Sequence, residues 1–188
     1  MKLVLFDIDG TILWSDGAGR NAMQSALTTV FGTAGDPRYR YDGKTDRQIV
    51  RELMRDAGHE DPHIDREMEV LLRHYLDGLR RELASGERRT ELLPGVRELL
   101  DALEARDDVV LGLLTGNLEE GARAKLGAAG IAFERFRVNA FGSDHEERPE
   151  LPAVAQRRAR EALGLHVEGE RIVVVGDTPA DIDCGRSL

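Results

Sequence analysis

Three stretches of the chain, "LVLF" at 3–6, "VVLGLL" at 109–114 and "IVVV" at 172–175, are almost unbroken runs of aliphatic side chains. A short strand without polar alternation has both faces covered, as in parallel sheets flanked by helices. Strands are expected at 2–7, 109–115, 136–141 and 171–176. Helical patterns lie between them. "GVRELLDALEA" (95–105) puts Val96, Leu99, Leu100 and Leu103 at helical spacing after Pro94, "LEEGARAKLGAAG" runs to Gly130, and "LPAVAQRRAREALGL" opens near a proline and closes at Gly164. Strand and helix in alternation specify an α/β fold with a doubly wound, Rossmann-like parallel sheet, whose ligands bind beyond the carboxyl ends of the strands.

Residues 14–92 interrupt this rhythm, with helix patterns at about 18–31, 46–57 and 64–85 and no convincing strand. They read as an inserted α-helical cap. The expected division is a core of 1–13 and 93–188 and a cap of 14–92; a chain of 188 residues suffices for one core and a small lobe. Thirty-five acidic against 26 basic residues, a net charge of −9, argue against a nucleic-acid partner, and an anionic substrate would need local cations or a metal. No apolar run approaches the ~18 residues that span a bilayer, so no membrane partner is expected. The first strand starts almost at Met1, leaving no room for a basic leader, and the single cysteine, Cys184, offers no internal disulfide. Both features suit a cytoplasmic protein.

The first aliphatic run ends on two acids in "DIDGT". Residues i and i+2 of a strand point to one side, so Asp7 and Asp9 can converge at its carboxyl end. Half-buried carboxylates need a bound cation, hydrogen bonds or protonation, although a turn at Asp9-Gly10 is the plainer alternative. The other strand tips carry comparable residues. Thr115, Gly116 and Asn117 in "LLTGN" offer a hydroxyl and the N–H groups of a helix start for a phosphate. Asp177 and Asp181 follow the last strand, with Asp177 placed to join Asp7 and Asp9 around a hard cation such as Mg²⁺. Arg148 in "ERPELP" is a cation just before a helix. Each alone reads equally as a cap, a turn or a surface residue.

In this order the residues Asp7-Ile8-Asp9-Gly10-Thr11, Thr115, Arg148 and Gly176-Asp177 through Asp181 resemble the motifs of the haloacid dehalogenase superfamily, with phosphoglycolate phosphatases among the similar members. The resemblance implies a Mg²⁺-dependent phosphatase of a small phosphorylated metabolite. Asp7 is implied as nucleophile and metal ligand, forming an aspartyl phosphate. Asp9 is implied as general acid and base and, through its backbone carbonyl, a metal ligand; Asp177 is the third ligand. Thr115, Gly116, Asn117 and Arg148 are implied to bind the phosphate, Asp181 to act behind them, and Lys44 or Arg47 in "YDGKTDRQIV" to reach the substrate from the cap. The alternatives are a phosphomutase, a dehalogenase, which typically lacks the acid at Asp9, or a non-catalytic binding module. The expected assembly is a monomer or homodimer.

Two departures from the family pattern stand out: an arginine where lysine is usual, which keeps the charge, and an end at Leu188, seven residues beyond Asp181, where relatives continue through a further strand and helix. The second implies a shortened sheet. "GAGRNA" at 17–22 resembles a dinucleotide fingerprint but does not follow a strand directly. His59 and His63 are separated by Pro62, which argues against a zinc site on one shared helix.

Overall fold

The computed structural model describes residues 1–188. Its sheet contains β1 (Lys2–Phe6), β4 (Val109–Thr115), β5 (Val138–Phe141) and β6 (Ile172–Val175), in the order β5-β4-β1-β6 and parallel throughout. The absence of alternation in the sequence has the expected cause. Leu3 and Leu5 pack with α6 (Leu151–Leu163) and α7 (Pro179–Arg186) on one face, while Val4 and Phe6 pack with α4 (Val96–Glu104) and α5 (Glu119–Ala128) on the other. Gly112 interrupts the run in β4 because a Cβ there would lie 2.0 Å from the Val138 carbonyl oxygen. The chain winds from β1 outward through β4 to β5, then returns to the other side of β1 with β6. This reversal opens a crevice at the carboxyl end of β1.

The remaining helices, α1 (Ala18–Phe31), α2 (Asp46–Asp56) and α3 (Asp61–Ala84), form the inserted cap around their own apolar cluster, which includes Met23, Leu27, Leu53, Met54, Leu71 and Tyr75. Pro62 stands in the first turn of α3, where its missing N–H costs nothing, so the helix starts before it and includes His63. The expectation that 14–92 holds no strand needs correction. Leu13–Trp14 (β2) and Glu91–Leu92 (β3) pair antiparallel, so the chain enters and leaves the cap through a short two-stranded ribbon. The third expected sheet strand also begins later, at Val138, because residues Phe133–Arg135 form a 3-10 turn. No helix is long and apolar enough to cross a membrane.

Candidate active site

A cleft of about 340 Å³ lies over the carboxyl ends of the strands and beneath the cap. Asp7, Asp9, Thr115, Gly116, Asn117, Arg148 and Asp177 from the core line it together with Trp14, Arg20, Tyr41, Lys44 and Tyr75. Asp7 continues β1 by donating its N–H to Val175 at 2.9 Å. Gly10, at φ 76°, turns the chain immediately afterwards. A side chain at Gly10 would collide with the Asp177 carboxylate, whose Oδ2 lies 2.2 Å from the Cβ position, so the glycine lets the β6 acid close on the β1 loop.

One carboxylate oxygen from each of Asp7, Asp177 and Asp181 lies within 4.8 Å of the other two. Burial pushes the Asp7 carboxyl above the usual carboxylate range, and Asp181 and Asp9 act in the same direction; Arg148 and the Thr115 hydroxyl oppose them. Asp177 is raised too, first by its partial burial. Crowded acids held in this way, with only oxygen donors and with Gly10 leaving room for Asp177, fit a hard metal ion. Arg148, 3% exposed, is the buried counter-charge. Its Nη2 lies 3.0 Å from Asp7 Oδ2 and also donates to Asp181 Oδ1. Burial alone would lower the guanidinium pKa, but Asp7 and Asp181 together raise it. Asp181 is shared between two tasks: its second oxygen accepts the N–H (3.0 Å) and hydroxyl (2.7 Å) of Thr178 in the capping box of α7.

Asn117 is fully committed. Its Nδ2 donates to Asp9 Oδ2 at 2.8 Å and to Thr115 Oγ1 at 2.9 Å, and its Oδ1 accepts from Lys125 at 2.7 Å. Lys125 was not singled out by sequence; it is a lone cation on a helix face of small residues, with Gly121 and Ala122 buried beside it. Of the cap cations, Lys44 lines the cleft with its ammonium against Glu52 and the Tyr39 hydroxyl, whereas Arg47 does not line it and pairs with Glu69 at 2.6 Å. Arg20 lines the cleft as well, donating to the carbonyls of Pro37 and Tyr39 and lying 4.5 Å from the Tyr41 ring centroid.

The cap meets the core through backbone. The Asp46 N–H donates to the Gly116 carbonyl at 2.9 Å, and a Cβ on Gly116 would fall 2.0 Å from the Lys44 carbonyl oxygen. Asp46 Oδ2 accepts the Leu118 N–H at 2.9 Å, so a cap carboxylate satisfies the start of core helix α5. Burial pushes this carboxyl up to about 6, against the opposing pull of Lys125 and the Leu118 N–H. Between the ordinary value of 3.8 and about 6 the folded chain binds more protons than the unfolded one. Stability is therefore expected to fall as pH rises through this window and to level off above it, by about 3 kcal/mol at most. Thermal denaturation from pH 4 to 8 checks this: Asp46→Asn keeps an acceptor for Leu118 and should flatten the difference. An unchanged profile in the variant would assign the dependence to other groups.

The haloacid dehalogenase-like hydrolase family model matches residues 1–188. A phosphoglycolate phosphatase of Aquifex aeolicus (strain VF5) is 27% identical over 192 residues, covering 99% of this chain and 80% of that protein. Among solved structures, CbbY from Rhodobacter sphaeroides in complex with phosphate superposes with a TM-score of 0.75 at 21% identity, over 100% of this chain and 82% of that one. A predicted phosphoglycolate phosphatase from Haemophilus somnus 129PT gives 0.69 at 24% identity, over 100% and 81%. The full-length family match, the parallel sheet with its helical cap and the acids gathered at the end of β1 agree, and the chain belongs to the haloacid dehalogenase-like hydrolases.

Proposed function

We propose that the chain is a Mg²⁺-dependent phosphatase that hydrolyses a small phosphomonoester in the cytoplasm through a phosphorylated Asp7. The observation that carries this reading is the meeting, in one cleft, of two acids at the end of β1 with a threonine from the end of β4 and a buried arginine from the turn before α6. The named relative is a phosphatase of a small phosphorylated acid, which favours the same substrate class.

Asp7 attacks phosphorus, forming a P–O bond as the bond to the ester oxygen breaks. Asp9 gives its proton to the departing alkoxide. A water then attacks the aspartyl phosphate while Asp9 takes one of its protons, which releases inorganic phosphate and restores both carboxyl groups. Arg148, Thr115 and the N–H groups at Gly116 and Asn117 hold the phosphoryl oxygens as charge spreads over them. Asp7, the backbone carbonyl of Asp9 and Asp177 would hold Mg²⁺, with Asp181 behind them. The ion supplies the positive charge that lets an anion attack an anion. The cleft volume suits a metabolite rather than a polymer.

The test is phosphate release from phosphoglycolate and a panel of small phosphomonoesters, with Mg²⁺ and with chelator. Turnover is expected only with the ion, and restored when it is returned in excess. Release that persists in chelator would remove the metal from the mechanism. Transfer of the phosphoryl group to a second hydroxyl, without free phosphate, would make the chain a mutase.

A further inference from the structure

Lys125 is the one buried cation of the cleft besides Arg148, its side chain 5% exposed on α5. Burying an ammonium is costly unless it is paired and hydrogen-bonded. Here Nζ lies 2.6 Å from Asp9 Oδ2 and 2.7 Å from Asn117 Oδ1. Asn117 Nδ2 reaches the same Asp9 oxygen at 2.8 Å, so Asp9, Lys125 and Asn117 form a closed ring of contacts. Room for the ammonium comes from Gly19 of α1, where a Cβ would stand 3.3 Å from Nζ.

Both donors converge on Asp9 Oδ2, while Oδ1 has no partner and the side chain, 40% exposed, lines the cleft. We infer that Lys125 is a positioning residue: with Asn117 it fixes Asp9 by one oxygen, so that the other is presented to the ester oxygen and then to water. This inference rests on the phosphatase reading above and adds to it a residue from α5.

A residue that serves only the acid matters most when the leaving group needs a proton. Lys125→Met is therefore compared with the unaltered chain on 4-nitrophenyl phosphate, whose phenolate leaves readily, and on phenyl phosphate, whose phenolate leaves poorly. The expected loss in kcat/KM is about 100-fold on phenyl phosphate and under about 5-fold on the nitrophenyl ester. In an Asp9→Asn background the same replacement should change either rate by less than about 2-fold, because the group being positioned has gone. Equal losses on both esters, or none, would overturn the inference. Should Lys125→Met fail to fold, Lys125→Gln, which removes the charge and keeps a donor, is read on the same pair with the same selective loss expected. An unaltered chain inert on both esters sinks the phosphatase reading itself. The thermal cycle of Asp9→Asn, Lys125→Met and the double variant then still decides the contact, which predicts that the double variant melts above the sum of the single losses.

Discussion

Asp7→Asn is expected to lower phosphate release by about 10⁴-fold or more, the scale on which removal of a nucleophile is felt. The replacement is nearly isosteric, so the crevice between β1 and β6 keeps its shape. What disappears is the attacking oxygen's charge and one donor to the metal. Stability should move the other way. Burial already raises the Asp7 carboxyl, which means that its ionisation near neutral pH opposes folding despite the adjacent Arg148. Removing that charge in chelator is expected to leave the melting temperature unchanged or higher, while the gain that Mg²⁺ gives the unaltered chain should shrink. Melting curves with and without the ion, run beside the activity assay, separate an inactive folded enzyme from an unfolded one. Substantial turnover in the folded variant would place the nucleophile elsewhere.

Arg148→Met should produce the largest loss of stability of any single change in the site. The guanidinium is the only cation touching Asp7 and Asp181, and those carboxylates crowd against Asp177 within 4.8 Å. Removing one partner of a buried ion pair typically costs 3–5 kcal/mol, because the charges left behind have neither water nor counter-ion. For a chain of this length that corresponds to about 6 to 20 °C in melting temperature. A divalent ion among the same acids offsets part of the loss, by about 2.7 kcal/mol at 100 times its dissociation constant. Arg148→Met should thus be stabilised by Mg²⁺ more than the unaltered chain is. A variant as stable as the parent in chelator would show the three acids to be protonated or hydrated well enough to do without the arginine.

The aliphatic runs carried the architecture because the central strands β1 and β4 are buried on both faces, and Leu3 with Leu5 against Val4 with Phe6 shows why no alternation survives in β1; the run of edge strand β6 is only partly covered and leaves Val173 exposed. Asp7, Asp9, Thr115 and Asp177 were legible for a related reason: polar residues directly after such a run must lie at a strand end. β2 and β3 were not legible, since two residues each are too short to display a period. Lys125 stayed hidden because its meaning depends on an acid 116 residues away, and nothing local in α5 marks a cation as buried. Asp46 could be read as a helix start, but its second role, satisfying the backbone of α5 across the lobe boundary, exists only once the lobes meet. Arg148 was legible from its place between motifs; its burial came from α7 folding over it, with Cys184 and Asp181 as neighbours.

The ribbon that joins cap and core has a consequence for how such a protein can change. Trp14 and Glu91 are cross-strand partners, so the ends of the whole intervening stretch stand side by side, at the ~5 Å spacing of paired strands. A tight turn could join them and leave the β1 loop, with its acids, undisturbed. The cap is in this sense a cassette: it can be lengthened, exchanged or removed through one doorway while the sheet that carries the chemistry keeps its connections. Selection can then alter what is admitted to the cleft without altering what is done there.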